Sequence, residues 1–255
     1  MGKKYKIGLA MSGGAARGLA HLGVVKALYE NDIKPDIISG TSAGSIAGVF
    51  LADGHDPEDL IELFIEKKLY EFLSLTFGKM GLLKISGIRD VLVKNLKAKK
   101  FEDLKVPLYV AATNLNSGKI EYFSEGDLIE RVIASSSIPV LFTPLKMDGS
   151  LYADGGILDN LPVKPIRDKC KKLIGVNVNY TGPEETIDSI LKIAERSFHI
   201  SSGARIAEAA KECDLFIEPQ ELRKFGILDV SKGKKMFEIG YKVAKKSIEE
   251  SKVFR

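Results

Sequence analysis

Residues 37–54 read IISGTSAGSIAGVFLADG. The first three residues predict a short buried strand, and a helix of small residues is expected from the elbow to Gly54. Between them, Gly40–Gly44 match the pattern G-x-S-x-G, in which small residues let the backbone turn sharply at Ser42. A strand, a sharp turn at a serine and a helix occur in the order that a nucleophile elbow requires.

The elbow belongs to a longer alternation of strands and helices. Tyr5–Met11 predicts a buried strand, and a helix is expected from about Ala16 to Asn31. Further strands are predicted at residues 108–115, 119–123, 151–153, 172–178 and 215–218, and a helix at about 128–136. A β-α-β-α opening is typical of a parallel sheet covered on both faces. We therefore predict an α/β fold with a mainly parallel central sheet flanked by helices.

One domain is expected over residues 1–255, since no repeat, linker or low-complexity segment divides the chain. The section from about Pro57 to Leu104 is predicted to be mostly helical. Within it, Leu69–Leu83 is unusually apolar, which makes this helical section a candidate lid that meets lipid. The alternative is ordinary packing of two short helices on the core.

The composition excludes several classes of protein. The 255 residues are 45% hydrophobic and 28% charged, as in soluble globular proteins. A net charge of +4 does not indicate a nucleic-acid binder, although it leaves a mild attraction to anionic membranes. No apolar stretch approaches the ~18 residues of a membrane span.

The 2 cysteines are far apart, which favours a cytoplasmic location, with peripheral membrane contact as a further expectation. No metal site and no cofactor are predicted, and no oligomeric state is indicated.

Ser42 has two interpretations. At a helix N-terminus, the helix dipole and the free N–H groups favour an alkoxide and an oxyanion, as a nucleophile needs. The alternative is a serine that only caps a buried helix.

The glycine-rich segment Ser12–Gly18 links the first strand to the first helix. Its spacing does not fit a dinucleotide fingerprint, and no lysine follows Gly18 as a phosphate-binding loop requires. Two readings remain, a set of backbone N–H donors for an oxyanion and a plain strand-to-helix turn. Arg17 has three candidate roles, which are balancing charge near the oxyanion, binding a lipid phosphate and forming a structural salt bridge.

A nucleophilic serine needs a base within hydrogen-bonding reach. His21, His55 and His199 are the histidines, and none lies on a loop just after a predicted strand. Asp154 does, and Gly155-Gly156 follow it. Because the carboxyl ends of parallel strands share one edge of a sheet, we expect Asp154 to lie near Ser42. The alternative is an ordinary Asp-Gly-Gly turn.

In combination, these motifs resemble the bacterial patatin-like phospholipases, close to the group that includes the catalytic domain of neuropathy target esterase. The resemblance covers about residues 5–180 and rests on ordered blocks at Gly13–Gly18, Gly40–Gly44, Ala134–Pro139 and Asp154–Val163. Two positions depart from the family pattern. Ala15 stands where relatives often have Gly but keeps its N–H donor, and Asp159 stands where Asn is frequent.

The resemblance implies a three-layer patatin-like domain with a Ser–Asp dyad and no catalytic histidine. It implies calcium-independent hydrolysis of lipid-like acyl esters through an acyl-enzyme. Ser42 is then the nucleophile, Asp154 is the base, and the N–H groups of Gly13, Gly14 and Ala15 form the oxyanion hole. The residues expected to shape and support this site are Gly40, Gly44, Arg17, Gly18, Gly155 and Gly156. The alternatives are an acyltransferase that uses the same acyl-enzyme and a non-catalytic regulator on this fold.

Overall fold

A computed structural model describes residues 2–66, 74–78, 81–84, 86–183, 187–188, 190–226 and 229–254. Its strands are β1 (Tyr5–Met11), β2 (Ile37–Thr41), β3 (Ser74–Gly78), β4 (Gly81–Lys84), β5 (Leu108–Asn114), β6 (Lys119–Phe123), β7 (Leu145–Met147), β8 (Ser150–Asp154), β9 (Cys170–Val176) and β10 (Leu215–Ile217). Its helices are α1 (Leu19–Glu30), α2 (Ala43–Asp53), α3 (Pro57–Glu66), α4 (Ser86–Asn95), α5 (Leu128–Ser135), α6 (Lys164–Arg167), α7 (Ile190–Gly203), α8 (Ile206–Lys211) and α9 (Gly233–Glu250).

Eight of the described strands form one sheet, in the order β10-β9-β1-β2-β5-β8-β7, with β6 also paired to β5. Neighbours from β10 through β5 are parallel, whereas β6 and β8 run antiparallel to β5. The α1 connection between the parallel strands β1 and β2 is the crossover that the β-α-β-α pattern predicts. The predicted fold class, with its mainly parallel central sheet, is confirmed.

The alternation of side chains along the strands creates two apolar faces. Leu9 and Met11 of β1 pack in a core shared with α1, α2, α3 and α9. Ala10, which lies between them, packs on the opposite face with Ile166 of α6 and Ile206 of α8. The sheet is therefore buried between helices on both faces, which gives three layers.

The strand β5 has two neighbours along one edge. β2 pairs with the first part of β5, down to Thr41 beside Ala111, and β8 pairs with the last part, with Asp154 beside Ala112. The opposite edge of β5 is covered by β6 from Val110 to Asn114. Since a strand has only two edges, β2 and β8 share one of them and meet end to end.

Two elements differ from the predictions. The middle section contains the helices α3 and α4, as predicted, but β3 and β4 form an antiparallel hairpin between them that the prediction lacks. The first predicted helix is divided into a 3-10 turn at Ala15–Gly18 and the α-helix α1. Of the candidate lid, residues 69–73, 79 and 80 lie outside the described residues, so the lid stays a prediction, as does the single domain over 1–255.

Candidate active site

Ser42 lies at the junction of β2 and α2 in a strained backbone conformation, with φ 52° and ψ −121°. The flanking glycines explain how such a sharp turn fits. A Cβ on Gly40 would lie 2.4 Å from the carbonyl oxygen of Gly44, and a Cβ on Gly44 would lie 2.3 Å from that of Met11. Any side chain at either position would therefore push the strand and the helix apart. The elbow geometry predicted from the motif is present.

The Ser42 side chain does not cap α2, so the capping interpretation is wrong. Instead, the residue is held through its backbone. Its N–H donates to the hydroxyl oxygen of Ser135 at 2.9 Å, and its carbonyl oxygen accepts the hydroxyl of Ser45 at 2.7 Å. The Ser42 hydroxyl is thus left for another partner at the N-terminus of α2.

Asp154 lies near Ser42 for a different reason from the one expected. β8 is antiparallel to β5, so Asp154 does not end a strand of the parallel set. It lies beside the elbow because β2 and β8 pair with the same edge of β5, where the C-terminal ends of the two strands meet. The expected proximity is present, but the reason given for it from the sequence is wrong.

The two carboxylate oxygens of Asp154 have different surroundings. Oδ1 accepts the backbone N–H of Gly156 at 2.7 Å, which makes the Asp-Gly-Gly segment a capped turn as well. Oδ2 is buried and accepts no hydrogen bond within the described residues. The Ser42 hydroxyl lies close enough to lower the pKa of this carboxyl without completing a hydrogen bond to Oδ2. One oxygen is therefore structural and the other is available for proton transfer.

Burial is the main influence on the Asp154 carboxyl. It raises the pKa from 3.8 to about 7, against smaller opposing effects from the Ser42 hydroxyl and the Gly156 N–H. A carboxyl with a pKa near neutrality is a far better proton acceptor than an ordinary aspartate. The backbone is fixed by two hydrogen bonds, from Asp154 N–H to Ser137 and from the Thr113 hydroxyl to the Asp154 carbonyl.

The glycine-rich segment lies against the elbow, where Gly18 packs on Ala43. The N–H of Gly13 donates to the carbonyl oxygen of Asn160 at 3.2 Å. Within the described residues, the N–H groups of Gly14 and Ala15 donate to no protein group. Ala15 has φ 48°, which explains why glycine is frequent here in the family. Gly14 and Ala15 therefore offer free donors next to the elbow.

Arg17 is buried and serves the structure of the loop. Its Nε donates to the carbonyl oxygen of Phe225 at 2.9 Å, and its guanidinium also donates to the side chain of Asn179 at 3.0 Å. These bonds tie the glycine-rich loop to the chain that follows β9 and β10. In the Asp-Gly-Gly turn, Gly155 packs against the carbonyl of Ala111 in β5.

Within the described residues, none of the three histidine rings forms a hydrogen bond with Ser42 or Asp154. His21 is fully buried, its Nε2–H donates to the carbonyl of Ser12 at 2.8 Å, and burial lowers its pKa to about 4. His55 lies beyond the far end of α2, whose 11 residues span about 16 Å. His199 has a pKa lowered to about 4 by burial and by the charges of Arg17 and Arg196.

An apolar pocket opens beside the elbow. Its cavity volume is about 100 Å³. Ser42 and Ala15 lie in its wall together with hydrophobic side chains such as Leu22, Phe64 and Phe142. This lining is mostly apolar, with Ser42 among its few polar groups.

Other kinds of site are not seen in the part of the chain that the structure describes. No cluster of three or more His, Cys, Asp or Glu there could hold a metal ion. No helix among the described residues is long and apolar enough to cross a membrane. Asp159, the departure from the family pattern, accepts a hydrogen bond from Tyr122 and lines a different cavity.

Sequence reasoning missed the roles of three residues near the dyad. Ser135 accepts the Ser42 N–H, Ser137 accepts the Asp154 N–H, and Asn160 accepts the Gly13 N–H. The first two lie in the recognised Ala134–Pro139 block, where three successive serines at the end of a helix are a signal for backbone contacts. Nothing in the sequence pattern alone points to Asn160 as a neighbour of Gly13.

Comparisons with known proteins show the family of the chain. The family model described as patatin-like phospholipase matches residues 9–166. An uncharacterised NTE family protein of Mycobacterium bovis is 34% identical over 178 residues, which cover 69% of this chain and 48% of that protein. Lysophospholipase NTE1 of Mycosarcoma maydis is 29% identical over 273 residues, which cover 93% of this chain and 14% of that protein.

A structural comparison adds support for the fold alone. The crystal structure of VipD from Legionella pneumophila matches with a TM-score of 0.54 at 16% identity, and covers 96% of this chain and 67% of that one. The chain spans about half the length of the mycobacterial relative and a smaller share of the fungal one. Because the family model covers more than half of the chain, and the range includes both Ser42 and Asp154, the protein belongs to the patatin-like phospholipase family.

Proposed function

We propose that this protein hydrolyses acyl esters of lipids through a Ser42–Asp154 dyad and a covalent acyl-enzyme. The observation that carries the proposal is the buried Asp154 carboxyl, whose Oδ2 has no partner in the described structure although the Ser42 hydroxyl lies beside it. A partnerless carboxylate oxygen next to a strained elbow serine is costly for stability, and such an arrangement is common at catalytic sites.

Acylation begins when the Ser42 hydroxyl gives its proton to Asp154 as Oγ bonds to the ester carbonyl carbon. The carbonyl oxygen becomes an oxyanion, which accepts hydrogen bonds from the N–H groups of Gly14 and Ala15. When the carbon–oxygen bond to the leaving alcohol breaks, the proton passes from Asp154 to that alcohol. The Gly13 N–H donates to the carbonyl oxygen of Asn160. It therefore supports the oxyanion hole by holding the glycine-rich loop in place.

Deacylation uses the same groups in reverse. A water molecule gives a proton to the Asp154 carboxylate while its oxygen bonds to the acyl carbon. The bond from this carbon to Ser42 Oγ then breaks, and the proton returns from Asp154 to the serine. The products are a carboxylic acid and the free enzyme, so no cofactor takes part.

The apolar pocket favours a substrate with a hydrocarbon chain, because its wall offers few polar groups besides Ser42. Because a relative is named a lysophospholipase, we infer a single-chain phospholipid as the class of substrate. Such substrates occur at membrane surfaces. We therefore infer that the protein contacts membranes peripherally, from the cytoplasm.

Labelling with a fluorophosphonate probe tests the proposal. The probe phosphonylates an activated serine, so wild-type protein is expected to react and Ser42→Ala protein is not. Ser117→Ala, on the exposed turn between β5 and β6, is the matched control and should label like wild type. Loss of the nucleophile should also lower kcat by several orders of magnitude.

The products separate the remaining functions. Release of free fatty acid from a lysophospholipid supports hydrolysis. Transfer of the acyl group to an added alcohol or lysolipid, with little fatty acid released, would replace it with an acyltransferase. Absence of labelling and of turnover in folded wild-type protein would favour a non-catalytic regulator.

A further inference from the structure

Asn160 lies where the motifs of the site converge, although no role has been assigned to its side chain. Its backbone carbonyl accepts the N–H of Gly13, and its side chain is 4% exposed. A Cβ on Gly13 would lie 2.6 Å from Asn160 Oδ1, and a Cβ on Gly156 would lie 3.0 Å from the same atom. The two glycines therefore leave the space that the Asn160 amide occupies.

The amide is close to both members of the dyad. A Cβ built on Gly156 would lie 3.0 Å from Asp154 Oδ1 and also 3.0 Å from Asn160 Oδ1. The distance between these two oxygens is therefore no more than twice 3.0 Å. The position of a Cβ on Gly13 is 3.2 Å from the Cβ of Ser42. The Asn160 side chain thus lies between the glycine-rich loop and the Asp-Gly-Gly turn, beside the reacting groups.

The hydrogen-bonding capacity of these two side chains is complementary. Asn160 Nδ2 is a buried donor without a partner within the described residues, and Asp154 Oδ2 is a buried acceptor without one. An unmade hydrogen bond inside a protein is costly, and an ionised acceptor increases that cost. A half-turn of the terminal amide exchanges Oδ1 and Nδ2, which moves the donor to the side of Asp154.

We propose that Asn160 is a positioning residue, whose Nδ2–H donates to the Asp154 carboxylate when that group is ionised. The inference rests on the proposed function, in which Asp154 is the base. The donor holds the carboxylate in one orientation toward Ser42 and stabilises its charge. When Asp154 takes up the serine proton, this stabilisation falls and the amide turns back.

Charged groups around Asp154 do not compete with this role. The influences on its pKa are burial, the Ser42 hydroxyl and the Gly156 N–H, and none is a charged side chain. From α7, Phe198 approaches Gly156, while the guanidinium of Arg196 donates to the carbonyl of Gly182. Asp159 is bonded to Tyr122 and His21 to Ser12, while His199 on α7 has a pKa lowered to about 4 by burial, which keeps its ring neutral near pH 7. A neutral amide is therefore the group left to stabilise the ionised carboxylate.

The test is the pH dependence of fluorophosphonate labelling at Ser42 and of kcat/KM on a soluble ester. Asn160→Leu keeps the approximate size but removes the donor, so the apparent pKa of both profiles should rise by about one unit. Asn160→Asp keeps the shape and adds a like charge, so it should raise this pKa further. A donor that stabilises the carboxylate predicts this order, whereas loss of packing alone predicts slower labelling with an unchanged pKa.

Asn177→Ala is the matched control, because Asn177 is also a buried amide whose Nδ2 is bonded to Glu218. It should lower the melting temperature without moving the pKa. If Asn160→Leu does not fold, Asn160→Asp carries the test. An unchanged pKa in folded Asn160 variants, with a wild type that labels at Ser42, would overturn the role of Asn160 alone. A wild type that does not label would overturn the proposed function itself.

Discussion

Replacing Asp154 by Asn should make the protein inactive and, above neutral pH, more stable. Asn keeps the size of the side chain and the acceptor for the Gly156 N–H, but it cannot take the proton of Ser42. The gain in stability follows from the cost of burying a charge. The folded protein holds Asp154 with a pKa raised from 3.8 to about 7, whereas the unfolded chain ionises it near its ordinary pKa.

The sign and size of the effect follow from this difference. Below about pH 4 the carboxyl is protonated in both states, so the substitution removes no charge penalty. As the pH rises toward about 7, the unfolded state loses its proton first, and the wild-type protein becomes progressively less stable than the variant. A difference of about three pKa units corresponds to about 4 kcal/mol, reached above pH 7 and constant from there.

Urea unfolding of both proteins from about pH 4 to about pH 8.5 measures the effect. Other titrating groups, including the half-buried Asp159, are common to both proteins, so their contributions cancel in the difference. Any constant offset from the new amide is also independent of pH. A difference in the free energy of unfolding that does not change with pH would refute the raised pKa of Asp154.

Four further outcomes are expected. The kcat/KM for a neutral ester should rise with pH through about 7, because Asp154 must be ionised to act as a base, and a profile that is flat from about pH 5 to about pH 9 would contradict this. Ser135→Ala leaves the buried N–H of Ser42 without its acceptor, so it should lower the free energy of unfolding by about 1–3 kcal/mol and slow fluorophosphonate labelling, as denaturation and labelling kinetics would show. The double variant His55→Gln, His199→Gln should keep kcat within about tenfold, whereas a loss of several orders of magnitude in folded protein would indicate a Ser–His–Asp triad. Treatment with EDTA should leave the rate of ester hydrolysis unchanged, and a loss that calcium or zinc restores would reveal a metal requirement.

The elements that carry the site were predictable because their signals are local. Ile7–Met11 is a continuous apolar run, and the strand that contains it has the predicted bounds Tyr5–Met11 in the structure. The elbow was predictable for a similar reason, since only small residues fit beside Ser42. In the first helix, the backbone of Ala15 at φ 48° starts a 3-10 turn that apolar periodicity does not reveal.

What depends on pairing between distant segments was not predictable in the same way. The direction of β8 is set by its partner β5 and not by its own five residues, so its antiparallel course was missed. In the middle section, the hairpin β3–β4 has apolar residues that suit a helix as well as a strand, and only the pairing decides between them. The Asn160 contact with Gly13 likewise joins two loops that are remote in the chain.

The end-to-end meeting of β2 and β8 on β5 has a consequence for the order of events in folding. The strand-turn-helix of the elbow is formed by β2 and α2, near the start of the chain, but Asp154 joins it only when β8 closes a long loop and pairs with β5. Until β8 has paired with β5, Ser42 therefore lacks the Asp154 carboxyl beside it. In the proposed mechanism, reactivity at Ser42 is therefore expected only after this last part of the sheet edge is in place, so the pairing of β8 with β5 acts as a folding checkpoint for the activity.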